Sequence, residues 1–356
     1  MKIKFLILFI TVFVLNPYAY SLELILPEEE TDSVYSWGDA ADDPAFWFNK
    51  NRPSKSIVFG TDKKAGIHAF SLDGIRLNYL AVGRINNIDI RSGYSTDNAD
   101  ISIMAGSKRD NNTIKLFLIT EDGEFRNYQN NEIKTRLPSV YGLCMYKSVK
   151  DDMTFVFISD EKTSSIYQFE ILSFFPAKAR MVRKIRTSSV SEGCVADDDD
   201  GILYFSQEDD ETGIYKTEIN SKNKKVTQID QSIEKGGHIN GDSEGLALAV
   251  HGKGKLLIAS SQGSSDFVVY DANDTNQYLG RFVIGRNNDI DSVSNTDGIE
   301  AFSQNLGTRF EEGIFIVQDD SNVNYFDTEP YTSGERKVNQ NFKLIPLKQI
   351  FDLYID

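Results

Sequence analysis

Carboxylates crowd the stretch DAADDPAFW, where Asp39, Asp42 and Asp43 fall within five residues, just ahead of a proline and an apolar run. The same arrangement, a polar or acidic residue leading into a short apolar strand, returns five more times. The later copies are NNIDI from Asn86, VYGLCMY from Val140, SEGCVAD from Ser191, DSEGLALAV from Asp242 and TDGIEAF from Thr296. Unpaired carboxylates at this density push one another's pKa values upward. A divalent cation removes the conflict, and an all-oxygen donor set with carboxamides and backbone carbonyls selects a hard ion such as Ca²⁺. Zinc is disfavoured, because only three histidines (His68, His238, His251) and two cysteines exist, with no Cys/His cluster. Pro44 keeps Asp43 extended, which leaves a carbonyl free to coordinate.

The elements that must position these acids also repeat. Six segments read as apolar strand, small polar turn, then a strand rich in β-branched or aromatic residues. They begin at Ser56, Ile101, Thr154, Ile202, Leu256 and Gly313, an average spacing of roughly 50 residues, the range of propeller blades. Alternation with Gly, Asp and Asn turns signals antiparallel hairpins. Six hairpins, each preceded by a short strand, predict an all-β, six-bladed β-propeller with a four-stranded antiparallel sheet per blade and the short strand innermost; a β-sandwich is the alternative. Residues opening the inner strands would then form one ring at a channel mouth: Asp42, Asp43, Asp89, Tyr141, Glu192, Asp242, Glu244, Asp297 and Glu300. Residues of the following turns would form a second: Lys63, Arg109, Lys162, Glu208, Gln262, Asp319 and Asn322. The first three are cations on consecutive blades, suited to an anion that metal ions help to hold.

Composition narrows the class further. Lys2 and Lys4 precede an apolar run from Phe5 to Leu15 and the small-x-small pattern Ala19-Tyr20-Ser21, which reads as a secretory signal peptide, residues 1–21. That predicts a secreted or periplasmic protein, with residues 22–356 as a single propeller domain. Removing the leader takes two lysines and no acid, so the net charge of −15 becomes −17. Such a chain excludes nucleic acid as a partner and, after cleavage, a membrane. The expected partner is a small-molecule substrate, and the expected state a monomer. Cys144 and Cys194 could pair or remain two buried thiols.

The ordered set DAADDPAFW, NNIDI, VYG at Val140, SEGCVADD, QEDD at Gln207, DSEGL, SSQG at Ser260, TDGIE and NQNFK at Asn339 resembles the β-propeller (alkaline, calcium-dependent) phytases over nearly the whole chain. The resemblance implies hydrolysis of phytate, myo-inositol hexakisphosphate, as a calcium–phytate complex or lower inositol phosphates, with release of orthophosphate by a 3-phytase-type phosphomonoesterase. It implies several Ca²⁺ ions, catalytic and structural. Matched by motif, Asp42, Glu192, Glu208 and Asp242 would hold calcium ions at the scissile phosphate. Asp43 with the carbonyls of Pro44 and Ile88, and Asp297 with Asn322, match structural calcium positions, and Glu244 with Gln262 a further one. Lys63, Arg109, Tyr141 and Lys162 match the phosphate contacts, and Glu30 is a looser match at the site. A calcium-bridged water or hydroxide would attack phosphorus in line, with no covalent protein nucleophile.

Other readings compete. Gly241-Asp242-Ser243-Glu244-Gly245 fits the G-x-S-x-G nucleophile elbow literally, but a strand-like run follows it and His251 is the sole later histidine. DDDDG at Asp197 lacks EF-hand spacing and reads as a solvated hairpin turn. A calcium-dependent propeller lactonase or esterase would share the channel metal yet leave Lys63, Arg109 and Lys162 unexplained. A non-catalytic, calcium-stabilised propeller that binds a partner is the reading from another class.

Overall fold

The computed structural model describes residues 22–95, 99–209, 212–220, 225–252, 254–273, 275–322 and 339–355. The leader and Asp210 of the QEDD motif lie outside them. Six antiparallel sheets are arranged as the predicted propeller. Their innermost strands are Ala41–Trp47, Ile85–Ser95, Val140–Lys147, Cys194–Asp197, Ser243–His251 and Ile299–Phe302. Each of these touches the next in chain order, and the last returns to the first, which closes the ring around a channel.

Closure uses the N-terminal segment. Leu22–Ile25 adds a parallel edge strand to blade 5, and Glu29–Glu30 pairs antiparallel with Asn339–Pro346 as the outermost strand of blade 6. One blade is therefore built from both ends of the chain. The final residues form a helix, Leu347–Tyr354, with Leu347, Ile350 and Phe351 buried against blades 5 and 6.

Second and third strands are buried on both faces because each blade is covered by its neighbours. Phe59 and Ile67 of blade 1, with Ala45 and Trp47 of its innermost strand, meet Met104 and Phe117 of blade 2, with Ile88 of its innermost strand, in one cluster. Each fully buried large apolar side chain of this kind contributes about 1.5–3 kcal/mol. Among the described residues no helix is long and apolar enough to cross a membrane.

Candidate active site

The acids reach the channel mouth through a repeated irregularity. Where the innermost strand meets its neighbour, the register shifts between Ala41 and Pro44, Ile85 and Ile88, Val140 and Leu143, and Ser243 and Leu246. Each shift leaves two residues outside the ladder: Asp42-Asp43, Asn86-Asn87, Tyr141-Gly142 and Glu244-Gly245. A bulge of this kind re-aims side chains and ends pairing. A hydroxyl from the adjacent strand satisfies the freed backbone N–H in three blades. The Asp43 N–H donates to Thr61 Oγ1 at 2.9 Å, that of Asn87 to Ser107 Oγ at 3.0 Å and that of Gly142 to Ser159 Oγ at 2.8 Å.

Glu192, Glu208 and Glu244, from blades 4 and 5, each bring a carboxylate oxygen within 4.8 Å of the others. Burial, then Asp42, Glu244 and Glu208, holds the Glu192 carboxyl well above its usual range. Burial and the charges of Asp242 and Asp209 push Glu208 up to about 8. Burial followed by Glu208 and Asp297 likewise raises Glu244. Asp297 reaches about 7 through burial and Asp42, with Lys63 opposing the rise. Oε1 of Glu208 and Oε2 of Glu244 are buried and accept no hydrogen bond among the described residues. Two orphaned, buried carboxylate oxygens within a cluster of three acids fit a hard cation. The cluster therefore passes the test for a calcium cradle.

Asp242 stands at its rim, where its Oδ1 accepts the Asp209 N–H at 2.8 Å. Gln262 donates through Nε2 to Asp297 Oδ1 at 2.7 Å. Beneath them Asp43 Oδ2 accepts the Ile88 N–H at 2.9 Å, which places Asp43, Pro44 and Ile88 together as matched, lining the channel. Burial and then Asp42 raise the Asp43 carboxyl well above its ordinary value.

Two cations, Lys63 and Arg109, engage residues of the same mouth. Lys63 Nζ lies 2.6 Å from Asp39, 2.9 Å from Asp42 and 3.2 Å from Asp297. Burial opposes its charge, yet Asp42, Asp297 and Glu192 outweigh burial and hold the ammonium above its usual range. Arg109 reaches Glu161 and stacks 5.1 Å over the Tyr141 ring. Burial and the charges of Glu192, Glu208 and Glu244 keep the Tyr141 hydroxyl protonated far past its normal pKa. Lys162 is exposed and forms no ion pair among the described residues.

Not every ring member arrives there. Asp89 binds Arg91 at 2.7 Å and the Met145 N–H, and Arg91 continues to Asp198 at 2.8 Å, a tie across blades 2, 3 and 4 farther down the channel. Glu300 lines that lower part too. Asn322 and Asp319 instead surround the fully buried Lys343, at 3.2 and 3.4 Å, together with Glu30 and Asp291. Asp297 and Asn322, matched as a pair from the sequence, thus have separate partners. The DDDDG turn is ion-paired rather than merely solvated: Asp197 and Asp200 hold Lys255 at 2.8 and 2.7 Å. Cys144 and Cys194 form a disulfide between the innermost strands of blades 3 and 4.

Sequence reasoning missed Asp39 as a Lys63 partner, Asn86, and the hydroxyls of Thr61, Ser107 and Ser159. The hydroxyls carry a signal: each sits at the end of its blade's second strand, just ahead of the turn that bears a ring residue.

A family model described as Phytase matches residues 8–356. The 3-phytase of Bacillus subtilis (strain 168) is 34% identical over 330 residues, covering 90% of this chain and 83% of that protein. In fold alone, the chain is similar to the alpha-L-arabinanase of Penicillium chrysogenum, with a TM-score of 0.55 at 10% identity over 93% of this chain and 99% of that one. With the family model spanning almost every residue of a six-bladed propeller, the chain belongs to the Phytase family.

Proposed function

We propose that this phytase releases orthophosphate from phytate in a calcium-dependent reaction at the acidic channel mouth. The observation that carries the calcium requirement is the pair of buried, unbonded carboxylate oxygens on Glu208 and Glu244, two acids that cluster with Glu192. Asp42, Glu192, Glu208 and Asp242 would hold the ions beside the scissile phosphate, with Glu244, Gln262 and Asp297 adjoining. Asp43 with the carbonyls of Pro44 and Ile88 would hold a structural ion lower in the channel. When bound, calcium lowers the pKa of coordinated water and offsets charge on phosphoryl oxygens.

The chain's own side chains would do the rest. Arg109 offers a planar fork matched to two phosphate oxygens, while Lys63 and Lys162 supply point charges from neighbouring blades. The protonated Tyr141 hydroxyl donates a hydrogen bond and withholds its proton from any competing base. Donors fixed in place before charge develops stabilise the transition state without reorganising. Ser243 is no nucleophile: it is buried in a ladder opposite Ser261, and His251 ends the same strand ~26 Å away at 3.3 Å per residue. We further propose cleavage of residues 1–21, export to the periplasm or medium, and one propeller domain acting as a monomer.

The test is phosphate release from phytate near neutral pH, with added Ca²⁺ and with a chelator. Calcium-dependent release supports the reading, and folded protein that releases none in either condition overturns it.

A further inference from the structure

Asn86 is fully buried in the bulge that opens the innermost strand of blade 2. Its carboxamide faces opposite charges on its two sides. Nδ2 donates to Glu192 Oε1, to Asp42 Oδ1 at 3.4 Å and to Asn87 Oδ1 at 3.0 Å. Oδ1 accepts from Arg109 Nη1 at 2.8 Å. The orientation is forced by the partners, since a guanidinium only donates and a carboxylate only accepts. An isolated Asn in a strand would be an ordinary polar residue. This one bridges the two halves of the site, the acids on one side and the arginine on the other.

A neutral bridge matters because the direct alternative is favourable. A guanidinium beside two buried carboxylates would form a bidentate ion pair with one of them. That pair would remove Arg109 from the substrate and occupy the oxygens that face the cation. We propose that Asn86 is a positioning residue that holds Arg109 off the acidic cradle, keeping the guanidinium free for phosphate and the carboxylates free for calcium. The inference rests on the calcium-phosphate reading of the mouth given above. It adds a residue that touches neither ligand but sets the availability of both. Glu161 supports the arrangement by holding the other Arg109 nitrogen, and Ser139 Oγ donates to Glu161 at 2.8 Å.

The experiment titrates the full chain with CaCl₂, without substrate, by calorimetry, and then with inorganic phosphate at saturating calcium. Asn86→Leu keeps the side-chain shape and removes both polar ends. It is expected to weaken calcium binding by about tenfold, because Arg109 then pairs with Glu192 or Asp42 and competes with the ion, and to weaken phosphate similarly. The deciding variant is Asn86→Leu with Arg109→Ala. With no arginine to collapse onto Glu192 and Asp42, calcium affinity should return to within about twofold of wild type, while phosphate binding stays weak. A double variant that binds calcium as poorly as Asn86→Leu alone would show a merely structural asparagine and overturn the proposal, as would an Asn86→Leu protein with unchanged affinities. Asn86→Ser, measured alongside with its melting temperature, keeps the test decisive should the leucine variant misfold, and an intermediate loss is expected from it. Wild-type protein that binds no calcium would instead refute the underlying reading, a separate outcome.

Discussion

The backbone N–H of Gly245 donates to the carbonyl oxygen of Asp297 at 2.9 Å, and a Cβ on Gly245 would stand only 2.7 Å from that oxygen. Blades 5 and 6 thus meet backbone to backbone at the level of the acids. The same contact recurs one blade earlier, where a Cβ on Gly193 would lie 2.0 Å from the Glu244 carbonyl oxygen. Each acid is followed by a glycine that lets the next blade's acid come this near, so the spacing of the cradle is set by missing side chains. Gly245→Ala should push the blades apart, costing about 1–3 kcal/mol as overpacking does. It should also lower calcium affinity while leaving strand content intact. Thermal melts and a calcium isotherm check both, and an alanine variant with wild-type affinity would contradict this account of the cradle.

Repulsion in the cradle gives Glu208→Gln and Glu244→Gln a two-sided outcome. Either change removes one buried charge from a cluster that burial and neighbouring carboxylates already disfavour. In chelator, the variants should melt at or above the wild-type temperature. In calcium the order should reverse, because a ligand at 100 times its Kd stabilises the native state by about 2.7 kcal/mol and a weakened site forfeits much of that. Melting temperatures of each protein with CaCl₂ and with EDTA test the crossing.

The disulfide joins Cys144, three residues beyond Tyr141, to Cys194, two residues beyond Glu192, across a separation of 50 residues. A closed loop of that size corresponds to about 4 kcal/mol of stability in the chain-entropy account. Cys144→Ser with Cys194→Ser should therefore lower the denaturation midpoint by that order, and wild-type protein in strong reductant should approach the same value. An unchanged midpoint would mean the bridge adds nothing to the blade 3–blade 4 junction.

His68 supplies a pH dependence away from the acids. It is fully buried, its Nδ1 accepts from Arg76 Nε at 3.0 Å, and burial, with Arg76 adding to it, lowers its pKa despite Asp62 nearby. In the unfolded chain the group titrates near 6.5. Between that value and its lower folded value, the unfolded state binds more protons, so stability falls as pH drops below about 6.5. His68→Asn should flatten that limb of the stability curve, as read from urea midpoints at pH 5.5 and 7.5. Equal slopes for both proteins would remove His68 as the cause.

Lys63 and Lys162 should separate in a mutational comparison. Lys162 is exposed and free of ion pairs among the described residues, so Lys162→Ala should raise KM for phytate with a stability change within about 0.5 kcal/mol. Lys63 is held by three carboxylates. Lys63→Ala should lower kcat/KM and also destabilise chelated protein, where those acids would lose their shared cation.

Local pattern determined much of this protein. The period-two alternation, the turn residues and the acid before each inner strand follow from nearest-neighbour chemistry, so six blades, their hairpins and most cradle residues were legible from the repeats. Tertiary structure decided what depends on which blade faces which. Asp89 follows Asn86, the counterpart of Asp42 in the bulge, by three residues, and it turns to Arg91 and to the Met145 backbone that blade 3 supplies. Glu29–Glu30 becomes a strand of blade 6 only when ends about 310 residues apart meet. Pairing of Cys144 with Cys194 needed neighbouring inner strands, and Asn86 gained its place by lying between an arginine of its own blade and acids of two others. A repeat specifies each blade's own bonds, whereas bonds between blades arise only once the ring has closed.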